Sequence, residues 1–148
     1  MTALTAARKI QRRGRWVEVY GFPVAAGAVI FAGALVQLKS GYAIPGKTGA
    51  DSTEAGLLQT VGVAIQSVTG GAADGDKFID VELAEWPMNN STSGDLITRA
   101  EIGKVCYVVD DQTVAKTSNT NVRAIGGRIT GVDSDGTVWG RFGPGLAA

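Results

Sequence analysis

Few residues in this 148-residue chain could do chemistry, and their settings argue against it. Asp110 and Asp111 form the one adjacent pair of carboxylates. An acid and a base must share a pocket to work together. Neighbours on an extended chain point to opposite sides, so this pair reads as a turn. Asp74-Gly-Asp76 and Asp133-Ser-Asp-Gly136 resemble fragments of calcium loops. Neither has the bidentate Glu at the twelfth position that completes such a loop. There is no histidine, which removes the commonest general base and the commonest metal ligand. Cys106 is the one cysteine, so an intrachain disulfide and a Cys-rich zinc site are excluded. It sits in an apolar run and reads as a buried, inert thiol. Gly126-Gly127 and Gly143-Pro-Gly145 lack the strand–loop–helix setting and the Lys-Ser/Thr ending of a phosphate loop. No catalytic residue, metal site or cofactor is expected, and the chain does not read as an enzyme.

Charge is the stronger signal. The net charge is zero, but Arg8, Lys9, Arg12, Arg13 and Arg15 all precede the first acid, Glu18. From Gly21 onward nine basic residues face thirteen acidic ones, so the body carries −4. The pattern is a cationic arm, residues 1–15, on an anionic domain, residues 16–148. Trp16 closes the cluster with a flat side chain of the kind that anchors interfaces. These six residues are the candidate partner-binding set. Thr2 or Thr5 could cap a helix, but fewer than three turns are marginal alone. The arm is therefore expected to be extended and mobile by itself, and ordered over a neighbouring subunit. A second reading is a nucleic-acid-binding β-barrel module that uses the arm. The anionic body, with no basic stripe along any strand, weighs against it.

The elements that would carry these residues are strands. Lys104–Val109 and Thr113–Lys116 flank Asp110–Gln112, and Arg123–Val132 and Thr137–Phe142 flank Asp133–Gly136. Both read as hairpins closed by Asp, Ser and Gly. Trp16–Tyr20 alternates as a first strand, Leu35–Leu38 and Tyr42–Ile44 form a hairpin, and Leu57–Val68 is a strand pair or one bent strand with a bulge at Gly62. Lys77–Leu83 alternates, and Glu85–Asp95 reads as a loop. Thr98 and Glu101 make a capping box for about one helical turn, which Gly103 ends. Phe22–Leu38 is uncharged and apolar, but it is short for a span, contains Pro23 and is rich in Ala and Gly. It reads as buried strands with turns at Ala25–Gly27 and near Gly33. Val105, Tyr107, Val109, Ile129, Val138 and Phe142 are the expected core positions. The fold class is all-β: a compact antiparallel barrel or sandwich of short hairpins, with an extended basic N-terminal arm and at most one short helix.

Several ordered blocks resemble the capsid cement, or head-decoration, proteins of tailed bacteriophages. They are Ala32–Leu38 with Gly41–Ala43, then Val61–Ala64, Asp74–Asp76, Ile97–Lys116 and Gly131–Gly136. The resemblance spans roughly residues 30 to 142 and leaves the arm uncovered. It implies a β-rich structural protein on the outer surface of a phage head in the virion, often a homotrimer, clamping neighbouring major capsid protein subunits. It brings no catalytic residues; no small-molecule substrate and no membrane are expected, and nucleic acid is the disfavoured partner.

Overall fold

The computed structural model describes residues 2–144, apart from the side chains of residues 14–16. It is 46% strand and 7% helix, with one sheet closed into a β-barrel. Eleven strands are described. β1 is Arg13–Pro23, β2 Val29–Ile30, β3 Leu35–Lys39, β4 Tyr42–Pro45, β5 Leu58–Ala64 and β6 Val68–Thr69. β7 is Phe78–Asn90, β8 Val105–Val108, β9 Thr113–Ala115, β10 Ile125–Val132 and β11 Val138–Phe142. One short helix, α1, covers Ser52–Ala55 and is capped by Asp51, whose carboxylate accepts from the Glu54 amide. The capping box at Thr98 and Glu101 is present, but the turn it opens, Arg99–Glu101, is 3₁₀.

Strand β7 organises the sheet. It pairs with β1 along Phe78–Glu85 and with β11 along Glu85–Met88. It also pairs with β5 at Val81 and Glu82 on one side and, in parallel, with β9 at Asn89 and Asn90 on the other. β10 joins β11 to β8, and β8 joins β9, which closes the ring β7–β11–β10–β8–β9. β5, β3 and β4 continue outward from β7.

Two apolar clusters result. Ala84, Trp86 and Met88 of β7 join Cys106, Val108, Val114, Ile129, Val138 and Phe142 inside the ring. Ile79 and Val81 of the same strand join Val24, Ile30, Ala34, Val36, Ala43 and Val61 in a second cluster. Leu35 and Val36 are successive residues in different clusters, so β3 is covered on both faces. Gly62, at φ +142°, marks the expected bulge: Val36 pairs with Gly62 and Gln37 with Thr60, leaving Val61 unmatched.

Three expectations are corrected. Glu85–Asn90 is strand rather than loop, because β7 runs on past Pro87, which sits opposite Trp139. Residues 14–17 of β1 lie opposite the single residue Ala84, so the first strand begins earlier than its alternation shows. On β8 the inward residues are Cys106 and Val108, while Val105, Tyr107 and Val109 are half-buried. Ile129, Val138 and Phe142 are in the core as expected. Phe22–Leu38 forms the end of β1, the short β2 and the start of β3, with turns at Ala26–Gly27 and Ala32–Gly33. Among the described residues no helix is long and apolar enough to cross a membrane.

Val108→Ala should therefore cost about 2–3 kcal/mol, through lost burial and a residual cavity. Val105→Ala should cost under about 1 kcal/mol, because that side chain is only partly removed from water. Urea unfolding of the two variants checks the order.

Candidate functional site

The basic arm is built against its own body. Residues 2–12 have no regular secondary structure, and their bonds go to side chains and carbonyls of the barrel. Gln112 donates through Nε2 to the Thr2 carbonyl at 2.7 Å. The Leu4 amide donates to Asp111 Oδ1 at 2.7 Å, and the Leu4 side chain packs on the second cluster. The Arg8 amide donates to the Ala32 carbonyl at 3.0 Å. Arg8 also donates through Nε to the Gly33 carbonyl at 3.0 Å and through Nη2 to Met88 Sδ at 3.1 Å. Ile10 packs on the ring cluster. Arg12 Nε then meets Glu82 at 3.2 Å, and Arg13 Nε meets Glu85 at 2.5 Å. Arg13 also lies over the Trp139 ring, 4.2 Å from its centroid.

The expected source of negative charge was a neighbouring subunit. For Arg12 and Arg13 the structure places carboxylates of the same chain there, on the outward positions of β7. Alternation along β7 puts Glu82 and Glu85 where an arm can reach them. Lys9 is exposed, and the side chains of Arg15 and Trp16 fall outside the described residues.

Electrostatics follow this geometry. Burial lowers the Arg8 pKa, and Asp111 and Asp110 pull it back up. Burial likewise raises the Asp111 carboxyl pKa against the hydrogen bond from Leu4, with Asp110 adding to the rise. Burial opposes ionisation of Glu85 as well, but there the hydrogen bonds from Thr130 and Arg13 win and hold its pKa low. Asp110 and Asp111 do diverge: Asp110 accepts from the Gln112 amide within the turn, and Asp111 accepts from the arm. Sequence reasoning missed Asp111, Gln112, Glu82, Glu85 and Gly33 as receivers of the arm. Only the alternating acids of β7 were a readable signal.

Gly33 shows how closely the arm is fitted. It lies at φ +88°, and a methyl group built on it would fall 2.6 Å from Arg8 Cγ and 2.8 Å from the Arg8 carbonyl oxygen. Both contacts are far inside van der Waals distance, so a side chain here and the docked arm exclude each other.

The other candidate groups are absorbed by turns. Asp74 accepts from the Ala26 amide and Asp76 from the Ala73 amide. Asp135 accepts from the Thr137 amide, and Asp133 from Trp139 Nε1. Among the described residues no three of His, Cys, Asp or Glu come together as a metal set. A cleft of about 670 Å³ opens between β5 and β10, lined by Leu58, Thr60, Tyr107, Arg123 and Ile125. Its cation, Arg123, is held by Asp95 at 3.1 Å.

Two results should follow. Burial pushes the Cys106 thiol up to about 12, so alkylating reagents at pH 8 should leave it unmodified until the chain is unfolded, as intact-mass spectrometry would show. Burial raises the Asp111 pKa in the folded chain, while the arm's own groups, the Leu4 amide and Arg8, favour its ionised form. Its contribution therefore favours the folded chain at low pH and is lost as pH rises through the folded-state pKa. Asp111→Asn, which keeps an acceptor for the Leu4 amide, should flatten that pH dependence in urea unfolding.

No protein-family model, no curated protein and no solved structure matches this chain.

Proposed function

We propose that this protein is a non-enzymatic virion structural protein: a capsid cement or decoration protein. It binds the outer surface of a phage head and stabilises contacts between major capsid protein subunits, as a homotrimer. The observation that carries the reading is a mixed surface where the arm meets β1. Val19 is about half exposed and pairs across the strands with Glu82, the residue that holds Arg12. Phe78, 63% exposed, stands opposite Pro23 on the same face of the strand pair as Val19, while Tyr20 faces the other way. Exposed apolar side chains rimmed by charge mark a protein-binding surface. The blocks that resemble cement proteins fall on β3, β4, β5, the turn before β7, the β8–β9 hairpin and the β10–β11 turn. They form a framework, while the arm and β1 supply what is particular to this chain. Three weak contacts in a trimer gain avidity through effective concentration, by about 10²–10⁴, so no single contact need be tight.

Co-sedimentation with heads from the same virus tests the proposal. The protein should pellet with heads in fixed stoichiometry. The double variant Lys9→Glu/Phe78→Ala should bind about tenfold more weakly, the size of one lost contact worth about 1.4 kcal/mol. Failure of the wild-type protein to pellet with heads would remove the capsid reading. Salt-dependent binding to DNA instead would favour a nucleic-acid module.

A further inference from the structure

We infer that the N-terminal arm is a strap, closed on its own barrel in the free protein, and that it must open before its cations can grip a partner. This rests on the reading of the arm as partner-binding. Arg8, Arg12 and Arg13, three of the cations assigned to the partner, are already engaged at Gly33, Met88, Glu82 and Glu85. A guanidinium cannot hold both a barrel carbonyl and a partner carboxylate in the same fork geometry.

The closed strap is built to be reversible. Arg12 and Arg13 pair at the surface, with side chains 43% and 44% exposed, and such pairs contribute little and weaken with salt. Arg8 gives up hydration to reach two neutral acceptors, so its burial is only partly compensated. Two amides, Leu4 and Arg8, tie the strap to the barrel over sequence separations of 107 and 24 residues. Leu4 and Ile10 add apolar packing on the two clusters. Residues 2–12 have two amide anchors, a carbonyl held by Gln112, a few weak pairs and no ladder of backbone bonds, so they open without unfolding the barrel, while Arg13, at the start of β1, gives up only its side-chain pair.

Closure then taxes partner binding. If the strap is closed most of the time, the observed dissociation constant exceeds the intrinsic one by the ratio of total to open protein. Hydrogen exchange at Leu4 and Arg8 reads the same ratio, because those amides exchange only when the strap is open.

The test uses variants on the barrel that leave the arm sequence intact: Gly33→Ala, which clashes with Arg8, and Gln112→Ala, which frees Thr2. The second covers the case in which Gly33→Ala fails to fold. In the wild type, Leu4 and Arg8 should exchange at least about tenfold more slowly than free chain. In the variants that protection should fall while amides of β10 keep theirs. Affinity for purified heads should rise by the same factor that protection falls, within about threefold. Unprotected Leu4 and Arg8 in the wild type would overturn the strap. So would unchanged head affinity in a variant whose arm has been released. If protection behaves as expected but no protein binds heads, the capsid reading fails and takes the switch with it.

Discussion

The structure depends on one constraint met by β7, which must bury opposite faces at its two ends. Ile79, Val81 and Leu83 are buried on odd positions, and Ala84, Trp86 and Met88 on even ones. The phase changes between Leu83 and Ala84, where two successive residues are buried. Residues 14–17 of β1 bulge opposite Ala84 at the same level. A strand without that change would put either the ring cluster or the second cluster into water, since side chains alternate strictly along a regular strand. With it, one strand serves the closed ring at one end and the β5–β3–β4 layer at the other. The same phase change sets Glu82 and Glu85 on the solvent side, three residues apart, and so fixes where the arm's cations land.

Much of the fold could be read from the chain because turns and alternation agree there. Asp133–Gly136, Ser40–Gly41 and the Thr98–Glu101 capping box each have a local chemistry that forces one answer. What was hidden lay where two periods meet. Glu85–Asn90 looks like a loop because the alternation breaks at Leu83-Ala84 and Pro87 removes a donor, both ordinary signs of a strand's end. Val105-Cys-Tyr-Val-Val109 is apolar on both faces, so alternation alone cannot choose between them. The ring takes Cys106 and Val108, and Tyr107 turns to the cleft beside Ile125.

The arm was half legible. Its charge needed no structure, and neither did the sign of the surface that would receive it. That the receiver belongs to the same chain could not be read, because Asp111, Glu82 and Glu85 are 103, 70 and 72 residues from Arg8, Arg12 and Arg13 and only the fold brings them together. Asp111 reads as a turn residue and is 2% exposed, beneath the arm. The arm is also more tied to the body than its sequence suggested. Leu4 and Ile10 help cover the two clusters, and β1 starts at Arg13, so removing residues 1–15 would strip packing and a strand end as well as charge.

On the proposed reading the barrel carries an arm with two addresses, its own acidic face and a capsid subunit. A cryo-electron-microscopy map of decorated heads measures the choice most directly. The account predicts the barrel on the outer surface, with the arm lifted from Gly33 and Glu82 and running onto a major capsid protein subunit. A map showing the arm still closed on its own barrel, with the capsid contact made elsewhere, would contradict it.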